Sequence, residues 1–160
     1  MLDGAADCLV AILQTHSRWI PVASEATRAI SALAGGGNST KIVSLLRKAG
    51  CCSALVKAVC VHHRGLQGED EAVSASLLFL RDLLRSVCDM LDPNRVDPGE
   101  LSRCRACFLR EGAHEAVVLV TRTHKISTVA TTPTTAGILV ATLRDPTTLL
   151  SVPFKSDLIG

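Results

Sequence analysis

Apolar and polar residues follow a helical period along most of this 160-residue chain. One pattern, which runs from a glycine to a histidine, occurs three times, over residues 4–16, 50–62 and 112–124. Within each copy the apolar residues recur three and four positions apart, so they share one face of a helix. The pattern predicts three amphipathic helices, and a pattern that recurs at long spacing is typical of stacked helical units.

A shorter helix is predicted immediately before the second and third copies, over 38–49 and 97–111. The first of these has polar starting residues and a last turn rich in Lys and Arg, as helix ends favour. The opening glycine of each copy is suited to end a preceding helix, because glycine adopts the left-handed conformation without strain. Gly50 and Gly112 are therefore predicted helix stops, whereas the first copy lacks a short helix before it.

The start of the helix over 97–111 carries the clearest local signal. Asp97 is a good N-cap residue, Pro98 suits the first helical position, and Glu100 follows three residues after the cap. These residues resemble a capping box, in which the cap and the acid each bond the other's backbone N–H.

A third helix is predicted after each copy, over 22–34, 72–84 and 135–144. Aligning the first two of these helices leaves two polar insertions that carry turn residues, over 63–70 and 87–96. A short strand or irregular segment competes with the helix over 135–144, because that stretch contains a glycine and several β-branched residues. The apolar face of the helix over 22–34 comprises Ala26, Ala29, Ile30 and Leu33.

Composition favours one all-helical domain. Hydrophobic residues make up 48% of the chain and aromatic residues only 2%, so the core must come from Leu, Val, Ile and Ala. Acidic and basic residues alternate around a net charge of +2, without the clustered basic face that binds phosphates. No apolar run is long enough to cross a membrane, and no export signal is present. We therefore expect no nucleic acid partner and no membrane partner.

The chain contains seven cysteines, an odd number spread through the predicted helices. Without a signal peptide, such cysteines are typical of reduced thiols inside a helical core. This pattern predicts a cytoplasmic location, with the nucleus as the alternative.

The segment over 25–59 contains two short patterns that are typical of one class of helical repeat. The residues that carry them are Ile30, Leu33 and Ala34, followed by Ala49, Gly50, Ala54, Leu55 and Val56. In this respect the chain resembles the armadillo repeat family, and less specifically the related HEAT type, over residues 4–124. The resemblance implies an all-α fold, a right-handed α-α superhelix of about two and two-thirds units. The units would span 4–37, 38–96 and 97–144, with an irregular tail over 145–160.

The resemblance also implies where a partner binds. Armadillo proteins typically bind extended peptides along a concave groove that their third helices line, often with a ladder of Trp and Asn residues. Here the Trp positions fall on Arg28 and Leu78 and the Asn positions on Ala32 and Asp82, so both ladders are absent. The implied binding surface comprises Glu25, Arg28, Ala32, Leu78 and Asp82, to which the two acids would contribute negative charge.

Trp19 is the only tryptophan and lies in the predicted loop over 17–21. A single loop tryptophan commonly packs against the core as a plug. If exposed, it would instead be the best anchor for a partner protein, because tryptophan is enriched at binding hot spots.

Two groups of residues suggest chemistry. Cys104 and Cys107, with His114 seven residues on, have a spacing that zinc sites use, but no second cysteine pair matches it. Cys60 lies near His62, but no acid follows to orient the imidazole for nucleophilic catalysis. We favour buried structural thiols, and the sequence predicts no metal, no cofactor and no enzyme.

The histidines that close the three copies, His16, His62 and His124, each follow a predicted helix. A row of metal ligands or pH-sensitive groups is one interpretation. We favour the other, in which each imidazole caps the free carbonyls at the end of its helix.

The leading hypothesis is a non-catalytic module that binds another protein or peptide through its third helices. One alternative is a zinc- or thiol-dependent activity centred on Cys104 and Cys107. Another is a purely structural fragment of a larger armadillo-repeat protein. Because neither end of the predicted stack has a polar cap, self-association through the ends is expected for a fragment or half of an oligomer.

Overall fold

The computed structural model describes residues 2–65 and 70–116, with side chains over 4–62 and 78–116. All regular secondary structure in these residues is helical, as predicted. The helices are α1 (Leu2–His16), α2 (Ile20–Ala34), α3 (Ser39–Lys48), α4 (Cys51–Gly65), α5 (Asp70–Met90) and α6 (Pro98–Arg110), and a further helix begins at residue 113. The remainder of the third copy, the predicted helix over 135–144 and the tail over 145–160 lie outside the described residues.

Gly50 and Gly112 end α3 and α6 as predicted. Their φ angles are +89° and +81°, in the region that residues with a Cβ adopt only with strain. Gly4 differs from them, because α1 begins at Leu2 and the glycine therefore lies inside the helix.

The third helices are longer than the sequence pattern predicts. α2 begins at Ile20 rather than at residue 22, with Trp19 at its N-cap position. α5 continues to Met90, so the predicted polar insertion over 87–96 is wrong for its first four residues. The alignment of the two predicted third helices missed this extension, because the residues over 87–96 also include charged residues and a turn. The apolar residues buried in this extension are Val87 and Met90, and Leu91 and Val96 are buried in the segment after it.

The N-terminus of α6 confirms the cap but not the capping box. Asp97 accepts hydrogen bonds from the backbone N–H groups of Gly99 (2.9 Å) and Glu100 (3.2 Å). The reciprocal bond is absent, because the Asp97 N–H donates to Thr40 Oγ1 of α3 at 3.0 Å. Glu100 is therefore available to pair with another helix.

Glu100 forms a buried ion pair that joins α3 to α6. Its side chain is 2% exposed and lies 2.6 Å from Arg47 Nε and 3.0 Å from Arg103 Nε. Burial raises the pKa of Glu100, but the hydrogen bonds from the two arginines outweigh this effect and hold it below its ordinary value. The hydrogen bond to Glu100 likewise outweighs burial and raises the pKa of Arg47.

Each helix packs against the helix that occupies the corresponding position in the next predicted unit. α1 packs against α4, α2 against α5 and α3 against α6. Neighbouring helices within a unit are also in contact: α1 packs against α2, and α4 packs against α5. The core is mostly aliphatic, and its largest fully buried side chains include Leu13, Ile30, Leu46, Leu55, Leu80 and Leu83, with Phe79 and Phe108 as the aromatic exceptions.

The buried face of α2 differs slightly from the predicted one. Ala26 and Ile30 are buried as predicted, but Ala29 and Leu33 are only partly so. Thr27, which the apolar pattern leaves out, is fully buried because its hydroxyl donates to the Ala23 carbonyl at 2.7 Å. A local hydrogen bond of this kind lets a polar side chain enter a helix interface.

Among the helices within 2–65 and 70–116, none combines the length and the apolarity needed to cross a bilayer.

Gly50 and Gly4 make a matched pair for testing the backbone argument. We expect Gly50→Ala to lower the free energy of unfolding by about 1–2 kcal/mol, because the alanine Cβ is strained at positive φ. Gly4→Ala should raise it by up to about 1 kcal/mol, since a Cβ there meets no atom within 4 Å and alanine favours a helix. Urea unfolding followed by circular dichroism measures both changes in unfolding free energy. Effects of equal sign would contradict the assignment of Gly50 as a helix stop and of Gly4 as a residue inside a helix.

Removing the buried carboxylate should cost more than removing an exposed partner. We expect Glu100→Gln to destabilise the fold by about 3 kcal/mol, because Arg47 would remain mostly buried without its counter-charge. Arg103→Ala is the matched control and should cost less than about 1 kcal/mol, because that side chain is 61% exposed.

The same variant gives a pH test with a defined sign. The pKa of Glu100 is lower in the folded than in the unfolded protein, so its stabilisation is complete above the unfolded value of 4.5. It is lost as the pH falls through the folded value. The difference in unfolding free energy between the wild type and Glu100→Gln should therefore shrink in acid, and a difference that grows there would contradict the ion pair.

Candidate functional site

Three polar contacts lie along the line where α2 packs against α5, which we call the seam. They are Ser86 Oγ donating to the Thr27 carbonyl (3.0 Å), Ser31 Oγ donating to Asp89 Oδ2, and Arg95 Nη1 donating to the Gly35 carbonyl (2.6 Å). In the first two contacts the residue numbers of the partners increase together along both helices, and the third contact joins the segments that directly follow the two helices. The two helices therefore lie side by side and parallel, in one register.

A groove of about 640 Å³ follows this seam. Four of the five residues predicted to form the binding surface line it: Arg28 and Ala32 from α2, and Leu78 and Asp82 from α5. The fifth, Glu25, is not in the lining. Its side chain is 73% exposed and forms an ion pair with Arg28 at 3.3 Å.

The binding surface predicted from the sequence does not include three arginines that line the groove, Arg81, Arg85 and Arg95. With Arg28 they make four basic residues in the lining, against the two acids Asp82 and Asp89. Asp82 contributes negative charge within the lining, whereas Glu25 lies outside it, and the arginines outnumber the carboxylates. The spacing of Arg81 and Arg85, four residues apart on α5, was the available signal.

Leu78 is the main exposed apolar side chain of the groove. It is 48% exposed, and Ala32 lies exposed on the facing helix. The groove thus places a solvent-exposed apolar contact beside charged groups that are fixed on two helices. Such a combination of apolar and polar groups is typical of protein-binding surfaces.

Trp19 is exposed and is not a plug. Its side chain is 59% exposed, and its indole packs edge-on against the His16 ring, with the ring centroids 6.2 Å apart. Trp19 lies at the start of α2 and is not part of the groove lining. It is a separate exposed aromatic residue.

The interpretation of His62 as a cap at the end of its own helix is wrong. His62 lies inside α4, which runs to Gly65, and its Nε2 contacts the Ser17 carbonyl in the turn after α1. Its buried ring also packs edge-on against Phe79 at 4.6 Å. His16 lies in the last turn of α1 and is exposed, whereas His62 is buried. His124 lies outside the described residues.

Cys104 and Cys107 have a thiol neighbour that their own spacing does not predict. A hydrogen bond with Cys104, together with burial, raises the pKa of Cys52 on α4. Burial, followed by the nearness of Cys52, raises the pKa of Cys107 to about 11. Across the part of the chain that the structure describes, no three His, Cys, Asp or Glu side chains are grouped to hold a metal ion.

The chain matches no protein-family model, no curated protein and no solved structure. The armadillo resemblance therefore stays a prediction.

The thiols should differ in reactivity according to burial and pKa. Iodoacetamide reacts with the thiolate, and a pKa of about 11 keeps Cys107 protonated at neutral pH. We expect exposed Cys8 to be labelled first and Cys107 much more slowly, as measured by peptide mass spectrometry over time. Labelling of Cys107 as fast as Cys8 at neutral pH would show that it is an activated thiol.

Proposed function

We propose that this protein is a non-catalytic interaction module that binds an extended segment of another protein in the groove between α2 and α5. The observation that carries the proposal is the groove itself, in which Leu78 and Ala32 present exposed apolar surface between fixed charged groups. Small-molecule sites are usually concave and mostly apolar. This groove is lined mainly by charged and polar side chains, which suits a polypeptide better.

The helix arrangement supports an armadillo-like superhelix as the framework of the module. Each described helix packs against its counterpart in the neighbouring unit, as stacked repeats do. The parallel register of α2 and α5 agrees with equivalent third helices lying side by side. In such arrays the surface formed by one helix from each unit is the usual binding surface.

We propose the cytoplasm as its location, with the nucleus as the alternative. None of the seven cysteines forms a disulfide. Burial raises the pKa of Cys51 and, to about 12, that of Cys88. Thiols kept protonated in a helical core suit a reducing compartment.

A random dodecapeptide library displayed on phage and selected on the immobilised full chain tests the proposal. We expect the selected peptides to bind Leu78→Ser about tenfold more weakly than the wild type. Covering a half-exposed leucine contributes about 1.5 kcal/mol, and each 1.4 kcal/mol changes affinity about tenfold. Fluorescence anisotropy with the synthetic peptides measures the change.

Val61→Ser is the matched control. Val61 lies on α4, is 39% exposed and borders a different surface, beside Lys57. Its substitution removes similar apolar area and should leave the affinity unchanged. Equal losses in the two variants would contradict binding in the groove. Light scattering that shows only large self-associated species would instead favour a purely structural fragment.

A further inference from the structure

The two carboxylates of the groove, Asp82 and Asp89, each contact a neighbouring side chain within the fold. Asp82 lies 3.6 Å from Arg28 Nε and 3.7 Å from Arg81 Nη2, so one acid serves two arginines. Asp89 accepts the hydrogen bond from Ser31. Among the described residues, neither acid forms an ion pair with Arg85.

Arg85 is an exposed arginine of the groove. Among the described residues no hydrogen bond or ion pair to its side chain is found, and it lies open to solvent. Arg95 differs, since its guanidinium donates to the Gly35 carbonyl and pairs with Asp92 at 3.4 Å. Of the described residues that line the groove, Arg85 therefore has the one guanidinium without a partner, and the side chains of Arg28 and Arg81 are about half exposed.

The available groups lie in line along one face of α5. Leu78, Arg81 and Arg85 are three and four residues apart, which places them on the same side of the helix. At about 1.5 Å per residue, Leu78 and Arg85 are separated by about 10 Å along the axis. An extended peptide covers that distance with about three residues.

We propose that the occupant of the groove is an acidic, extended peptide segment, which places an apolar side chain on Leu78 and a carboxylate about three residues away on Arg85 and Arg81. This inference rests on the proposed function and names the chemistry of the partner. Arginine is suited to the role because its planar guanidinium binds carboxylates with two parallel hydrogen bonds.

The two aspartates distinguish a peptide from a nucleic acid. A continuous phosphate backbone would bring negative charge against Asp82 and Asp89, which lie among the arginines. A peptide carries its carboxylates at intervals, and its backbone N–H groups can donate to the aspartates between them. The interleaved charges of the groove therefore match a polypeptide.

The test uses the peptides selected on the full chain whose binding depends on Leu78. We expect these peptides to contain Asp or Glu near an apolar residue. Replacing the acid by its amide should weaken binding about tenfold or more, because charge-assisted hydrogen bonds are lost. Arg85→Glu should produce a similar or larger loss of affinity in the anisotropy assay.

Lys57→Glu is the matched control, because it makes the same change of charge at an exposed position on α4. It should leave peptide affinity nearly unchanged. A peptide in which the acid is replaced by lysine should recover affinity for Arg85→Glu, which shows direct pairing rather than a general charge effect. Circular dichroism confirms that each variant is folded.

The possible failures are distinguishable. Selected peptides that depend on Leu78 but are neutral or basic would overturn the acidic partner and leave the proposed function intact. Peptides that are insensitive to Leu78 would overturn the proposed function. Single-stranded DNA that binds more tightly than the peptides, and loses affinity with Arg85→Glu, would overturn the inference in favour of a nucleic acid.

Discussion

The parallel packing of α2 on α5 is the contact on which the candidate site depends. The two helices bury a mostly aliphatic interface, and polar groups that are buried or partly buried in it hold one register. Ser86 donates to the Thr27 carbonyl, and Ser31 donates to Asp89. Buried donors and acceptors are costly to leave unpaired, so a shift of one helix along the other would break several bonds at once. The positions of the groove side chains are fixed as a consequence.

The features that sequence predicted well are local in origin. Asp97 and Pro98 define the start of α6, and Gly50 and Gly112 end helices with positive φ angles. Such signals act within one turn of the chain and need no knowledge of the partner helix. The third-helix extension to Met90 was missed because it is decided by burial against the rest of the core.

The contacts between helices are where sequence reasoning was insufficient. The pattern at Asp97 predicted that Glu100 would bond back to its own helix, but Glu100 pairs with Arg47 of α3. Cys52 likewise meets Cys104 from a position about fifty residues away along the chain. Spacing within a segment indicates which face a residue occupies, but not what lies opposite that face. The same reason explains why Arg81, Arg85 and Arg95 were missed in the groove.

The charges along α5 explain why its arginines do not weaken the isolated helix. Like charges four residues apart on a helix are destabilising by about 0.2–0.5 kcal/mol, and Arg81 and Arg85 have this spacing. Asp82 lies three residues before Arg85 and Asp89 four residues after it, and opposite charges at these spacings stabilise a helix by a similar amount. Among the described residues Arg85 nevertheless forms no ion pair, so its guanidinium is open to solvent. An acidic ligand that binds this guanidinium would therefore contribute to affinity without breaking a contact of the fold.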